Sequence, residues 1–323
     1  MLSFVAADIE ILPLMDGLRL EELHLEKNRL TTLEGLPRSL KHLYVCENKI
    51  TGDGLCYSFP SLESFHVSDN PIRDCDAQTF RECFPSLKVL HFDRCRLRKI
   101  EFLRGSHIEE LMIQYNPISV LAGIPQRVRI LKAYGCGIRM IQSKIPQTIE
   151  HLELGSNSLG YAGLPLNWSS CLRELHLDNN FLEKFPRNLP DSLNTLTLNN
   201  NKITEIPRKL PESLRILFLN YNRIRKLPDF QGHRRFTILL LDDNMLTDMP
   251  DSTCSQILSY RRNWSEAIHH RSQQFIRNCW KRHLLRLRLR QYRRTQRIKK
   301  ELFEISMIPE RWRQIDTYDS SWI

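Results

Sequence analysis

Four histidines, His24, His42, His66 and His91, are separated by 18, 24 and 25 residues. Neutral imidazoles that a fold stacks side by side can ligate a metal ion or sense pH. No cysteine or carboxylate stands where it would complete a ligand set around them. A solvated histidine column without a ligand role is therefore expected, and no metal or other cofactor. A second candidate for chemistry is Cys279, whose neighbours Trp280, Lys281 and Arg282 favour a lowered thiol pKa. His269, His270 and His283 are near in sequence, but no acidic or histidine partner is placed to build a nucleophile constellation. Gly52 and Gly54, and Gly135 and Gly137, are isolated pairs rather than a phosphate-cradling loop. No catalysis is expected.

The histidine spacing belongs to a larger pattern. The phrase "LNTLTLNNNKI" from Leu193 to Ile203 has counterparts starting at Leu20, Leu40, Leu62, Leu87, Ile108, Val128, Ile149, Leu172, Leu214 and, more loosely, Phe236. The eleven starts are 20 to 25 residues apart, with a mean of 21.6. Each carries L-x-x-L-x-L-x-x-N/C-x-L, which is the signature of leucine-rich repeats. Cys95 and Cys136 take the asparagine slot in two of them.

This pattern predicts an α/β solenoid of eleven repeats over residues 20–250, with a parallel sheet on the concave face. An N-terminal cap over 1–19 precedes it, and an α-helical basic extension over 251–323 follows. One repeat cannot bury its leucines, but a stack can. The slot asparagine should bond free backbone groups where the chain turns. Pro37, Pro60, Pro85, Pro125, Pro146, Pro190 and Pro211 precede the next repeat, so the returns should be extended or short turns. Residues 76–84 of the longest repeat are the best candidate for a return helix. The recurring "LPxSL", as at Leu210–Leu214, resembles the short, proline-bearing class of leucine-rich repeats found in bacterial effectors and large-DNA-virus proteins.

Composition narrows the class. The chain has 323 residues, 41% of them apolar, without a run of about 18 apolar residues that could span a bilayer. The N-terminus lacks the basic start and clean apolar segment of a signal peptide. Nine scattered cysteines without a C-x-x-C pair suggest a reduced, intracellular protein of the cytoplasm or nucleus, not a secreted one. The sequons at Asn167 and Asn263 are then incidental. Charge is uneven. Residues 251–323 hold 16 Lys/Arg and 7 Asp/Glu, a net of +9, whereas residues 1–250 hold 31 and 30.

The residues between the second and third leucines should face solvent on the concave side. In order they are His24, Tyr44, His66, His91, Met112, Lys132, Glu153, His176, Thr197, Phe218 and Leu240. Neighbouring exposed slots add Asp69, Asp93, Tyr115, Tyr134, Asp178 and Tyr221. Tyrosine and methionine are enriched at interfaces, so the stripe from Tyr44 to Tyr134 is the expected protein contact. The apolar run Ile238–Leu241, beside Phe218 and Tyr221, predicts a covered end, by the chain's own cap or by a partner.

After Pro250 the repeat stops. From Arg277 to Lys300 there are eleven basic residues and no acidic one. "IRNCWKRHLLR" (276–286) resembles a degenerate IQ motif, the helix that calmodulin-type proteins clasp. Ile276, Lys281 and Arg286 match it, while Arg277 replaces its glutamine and Arg282 its glycine. Together with Trp280 these residues form the expected tail contact. A basic amphipathic helix suits a calmodulin-like partner, nucleic acid through phosphate neutralisation, or an acidic membrane surface. The segment "ELFEISMIPERWRQIDTYD" resembles a C-terminal segment of giant-virus proteins. With the proline-bearing repeats it makes an uncharacterised giant-virus leucine-rich-repeat protein the nearest resemblance, which implies an interaction protein and supplies no catalytic residues. Some bacterial-effector repeats precede a ubiquitin-ligase domain, which needs far more chain than follows Pro250. The expected function is a protein–protein scaffold with no small-molecule substrate. The alternative is nucleic-acid or calmodulin binding through the tail.

Overall fold

The computed structural model describes residues 1–15, 17–55, 57–228 and 237–247. Twelve parallel strands form one sheet. In chain order they are β1 (Leu2–Ser3), β2 (Glu22–His24), β3 (His42–Tyr44), β4 (Ser64–His66), β5 (Val89–His91), β6 (Glu110–Met112), β8 (Ile130–Lys132), β10 (His151–Glu153), β11 (Glu174–His176), β12 (Thr195–Thr197), β13 (Ile216–Phe218) and β14 (Ile238–Leu240). Two more, β7 (Val120–Leu121) and β9 (Met140–Ile141), pair with each other in the return segments.

The register follows the repeat. Leu23, Leu43, Phe65, Leu90, Leu111, Leu131, Leu152, Leu175, Leu196, Leu217 and Leu239 occupy the same place on successive strands. All eleven are fully buried. Each such leucine contributes about 1.5–3 kcal/mol of burial free energy, which only the stack can realise. The eleven expected strands are joined by a twelfth. Leu2 pairs with Leu23, and the N–H groups of Ala7 and Ile9 donate to Asn28 Oδ1 at 3.1 and 3.0 Å. The first residues therefore form a partial repeat that meets the slot asparagine of the next.

The expected asparagine ladder is present. Asn157 is typical. Its Oδ1 accepts from the N–H groups of Cys136 (3.0 Å) and Ile138 (2.9 Å), and its amide donates to the carbonyls of Ala133, Leu154 and Gly155. Cys95 and Cys136 fill the slot as buried thiols, donating from Sγ to Val67 O and Ile113 O respectively. A thiol cannot reproduce the amide's acceptor geometry towards the preceding repeat. There the N–H of Ile72 turns to Asn70 O, and that of Ile118 to Asn116 O.

The residue before the slot has a positive φ in every repeat: Lys27, Glu47, Asp69, Arg94, Tyr115, Gly135, Ser156, Asn179, Asn200, Tyr221 and Asp243. The chain leaves the strand by this left-handed step, which side chains other than glycine and asparagine resist. At the other end of the strand the proline turns close as one tight bend. The N–H of Leu193 donates to Pro190 O at 3.1 Å, and that of Leu214 to Pro211 O at 3.1 Å. The serine or threonine of that bend caps the repeat before it, as Ser192 Oγ does on Leu172 O (2.7 Å) and Thr148 Oγ1 on Val128 O (2.7 Å).

The longest repeat forms a helix, α1 (Ala77–Cys83), as expected. Asp76 caps it by accepting from the N–H of Thr79 at 2.8 Å. Its Phe80 packs among Phe84, Phe92 and Phe102, so the extra residues widen the core with aromatic rings.

Candidate functional site

The strands present their odd positions on the solvent face of the sheet. His24, Tyr44, His66 and His91 stand in register across β2 to β5, and Met112 and Lys132 continue the row on β6 and β8. All are half-buried. The rings touch. His24 and Tyr44 have centroids 4.3 Å apart and planes 3° from parallel. Tyr44 stacks on His66 at 4.5 Å, and His66 meets the edge of His91 at 4.1 Å. Three histidines of the expected column, His24, His66 and His91, thus form a four-ring stack with Tyr44 inside it, whereas His42 stands at the first position of β3, in register with Glu22 and Ser64.

Each imidazole is engaged by its surroundings. His24 lies between Glu22 (3.1 Å) and Glu26 (3.3 Å). Burial opposes its charge, but the two carboxylates outweigh burial and hold its pKa above the ordinary histidine value. Burial and then the same carboxylates push the Tyr44 phenol up. His66 takes the opposite direction. Burial first, then His91, His42 and His24, bring it down to about 4. Its Nε2 meets Ser64 Oγ at 2.9 Å. His91 Nε2 lies 3.3 Å from Glu110.

A second aromatic pair flanks the row. Tyr115, 51% exposed, meets Tyr134 edge-on at 5.5 Å, and the Arg94 guanidinium lies over the Tyr115 ring at 5.7 Å. Two glycines make room for these rings. A Cβ on Gly135 would come within 2.9 Å of the Tyr115 ring, and one on Gly155 within 3.1 Å of the Tyr134 ring. The repeat pattern gives no sign of the rings above them.

Other expected positions behave differently. Asp93 and Asp178 were expected to be free in solvent, but both are half-buried caps for the next repeat. Asp93 accepts from the N–H of Gln114 at 2.6 Å, and Asp178 from that of Asn199 at 2.7 Å. Asn199 and Asn220 continue this side-chain ladder to Asp242. Asp69 pairs with Arg94 at 2.8 Å. Phe218 and Leu240 are adjacent and half-buried, whereas Tyr221 is 51% exposed. The cover expected over β14 lies outside the described residues. So do the tail contacts Ile276, Arg277, Trp280, Lys281, Arg282 and Arg286, and Cys279.

Two features were missed. One is a ladder of alternating charge just ahead of the strands: Glu21, Lys41, Glu63, Lys88, Glu109, Arg129, Glu150 and Arg173. Glu21–Lys41, Glu63–Lys88 and Glu150–Arg129 close at 2.8 Å. Its middle, with His151 and Glu174, lines a shallow groove of about 370 Å³. Reading the second residue of each repeat as a column reveals it. The other is a convergence of His151, Glu174 and His176, whose ligating atoms lie within 4.8 Å of one another. His151 is in register with Glu174 on the neighbouring strand, whereas His176 lies two residues further along, so a reading of one column at a time separates them.

The thiols are placed for packing. Burial pushes Cys46 and Cys136 up to about 11 and Cys95 up to about 12.

No family model matches this chain. It is 29% identical to human podocan-like protein 1 over 182 residues, which is 50% of this chain and 35% of that protein's length. A leucine-rich-repeat protein of Leptospira interrogans superposes with a TM-score of 0.62 at 21% identity, covering 84% of this chain and 81% of its own. The fold is that of the leucine-rich-repeat proteins. A chain of the Drosophila Toll–Spätzle complex has the same fold, with a TM-score of 0.60 at 18% identity over 80% of this chain and 40% of its own. No described helix is long and apolar enough to cross a membrane.

Proposed function

We propose that this chain is a non-catalytic scaffold that binds a protein partner across the sheet face from β2 to β8. The stacked row His24–Tyr44–His66–His91 carries this reading. It is a preformed, half-buried aromatic strip, and Met112, Lys132, Tyr115 and Tyr134 extend it. Rigid rings of this kind lose little entropy on binding and serve as anchors at interfaces. Repeat proteins of this fold do engage protein partners, as the Toll–Spätzle complex illustrates. The raised thiol pKa values of Cys46, Cys95 and Cys136 fit packing rather than nucleophilic chemistry.

The test is site-specific photo-crosslinking in cells with the full chain. A photoreactive residue replaces Tyr44, Tyr134 or, as a control away from the sheet, the exposed Leu166. A discrete protein crosslinked from 44 and 134, but not from 166, supports the reading. Crosslinks obtained only from a photoreactive residue placed at Trp280 in the basic tail, and abolished by nuclease or calcium chelation, overturn it in favour of nucleic-acid or calmodulin-like binding.

A further inference from the structure

The convergent triad on β10 and β11 lies on the same sheet face as the aromatic row but shares no residue with it. His151 Nδ1 lies 2.8 Å from Glu174 Oε2, and His176 Nε2 lies 3.8 Å from the same oxygen. A hydrogen bond between the imidazole and the carboxylate accounts for the first contact. It does not account for the second. His176 Nδ1 lies 3.1 Å from Thr197 Oγ1, and the Thr197 hydroxyl donates to Asp178 Oδ2. The threonine hydrogen is thereby committed, so His176 must donate its own proton from Nδ1. In the neutral ring this leaves a lone pair on Nε2, facing a carboxylate oxygen that is also an acceptor. Two acceptors set face to face call for a cation between them.

We propose that His151, Glu174 and His176 form a binding site for a divalent transition-metal ion of the zinc class. Two imidazoles and one carboxylate are a three-ligand set this class accepts, with one position left for water or a ligand from outside. Ligands about 2.1 Å from a tetrahedral ion stand roughly 3.4 Å apart. The separations of 2.8 and 3.8 Å from Glu174 bracket that value, and all three ligating atoms lie within 4.8 Å of one another, so side-chain shifts close the site. Asp178 and Thr197 act as the outer support that fixes the tautomer and aims the ring. Glu153, in register with His176, adds negative charge nearby, and Lys132 stands beyond it. The site rests on the sheet geometry alone and stands whether or not the aromatic row binds a partner.

The experiment is titration of the full-length, metal-stripped protein with Zn²⁺ by calorimetry, and with Co²⁺ by visible absorption. The comparison set is wild type, His151→Gln, Glu174→Gln, Thr197→Val and the control His66→Phe, with circular dichroism to show that each variant folds. The expected result is one site that His151→Gln and Glu174→Gln each weaken at least tenfold. Thr197→Val should weaken it several-fold, and the control should leave it unchanged. A Co²⁺ spectrum of low-coordinate nitrogen–oxygen type should vanish in Glu174→Gln. Absence of Zn²⁺ binding in wild type, or binding that persists undiminished in both ligand variants, overturns the proposal. If His151→Gln misfolds, Glu174→Gln decides alone.

Discussion

Tyr44 lies flat on His24, with ring centroids 4.3 Å apart and planes 3° from parallel, and its other face rests on His66. The tyrosine therefore joins two histidines whose pKa values move in opposite directions. His24 is raised by its glutamates, and His66 is lowered to about 4.

The stack makes stability depend on pH. The folded protein keeps His66 neutral, so its contribution is complete above the unfolded value near 6.5 and is lost as pH falls from there through about 4. The full shift corresponds to about 3 kcal/mol. His24 has the opposite sign. Its contribution is present below the unfolded value and lost as pH rises through its raised folded one, so it partly offsets His66 on acidification. Urea denaturation between pH 7 and 4 should show a smaller acid loss in His66→Phe, which preserves the ring and removes the titration. An unchanged slope would remove His66 as its source.

The asparagine ladder supports a second prediction. Asn157 serves two N–H groups and three carbonyls at once, all of them buried or nearly so. Replacing it by alanine strands several of these, at about 1–3 kcal/mol each when no water reaches them. Asn157→Ala should cost roughly 3 kcal/mol by this reasoning. Asn157→Cys should cost less, because a thiol in this slot still donates to a carbonyl, as Cys136 does to Ile113 O. Equal losses in the two variants would contradict that ranking. Denaturant titration of both measures it.

What the sequence made legible follows from what repeats. Leu196 and Asn201 have counterparts in nearly every turn of the solenoid, so their spacing states the strand, the inward column and the ladder. The helix at Ala77–Cys83 was legible from the length of its repeat. The row from His24 to Lys132 was legible as a column, but the convergence of His151, Glu174 and His176 was not, because it forms between columns. His151 and Glu174 face each other across two strands, whereas His176 lies one step along. Gly135 reads as a turn residue, and only coordinates put the Tyr115 ring above it. The partial repeat at Leu2–Ser3 lacks the slot asparagine, which removes the signal that marks the others.

The alternating charges ahead of the strands predict a response to salt. Lys41 stands between Glu21 and Glu63, and its bond to Glu21 is 2.8 Å long. Lys41→Glu places three like charges in a row on adjacent strands, an arrangement that opposes sheet pairing. Its melting temperature should fall below that of the wild type at low salt. The gap should narrow near 1 M salt, where the screening length drops to about 3 Å. A gap that does not depend on salt would mean the column is not acting through charge. Thermal scans at two ionic strengths suffice.

The tyrosine pair rests on glycine. Gly135 has a φ of +66°, and a Cβ there would sit 2.9 Å from one ring atom of Tyr115 and 3.0 Å from another. Gly135→Ala therefore meets two penalties. The left-handed backbone costs an L-residue about 1–2 kcal/mol, and the ring must move off the space it fills. The ring has somewhere to go, since Tyr115 is half exposed, so the chain should still fold. The expected outcome is a stability loss of about 1–2 kcal/mol from the backbone, with a displaced Tyr115 that no longer meets Tyr134 at 5.5 Å. Gly155→Ala separates the two effects. Its Cβ would approach Tyr134 to 3.1 Å without a left-handed backbone, so it should move that ring with a smaller stability change. Ring-proton chemical shifts of Tyr115 and Tyr134, recorded beside denaturant curves, measure both. Unmoved shifts in both variants would show that the glycines do not set the ring positions.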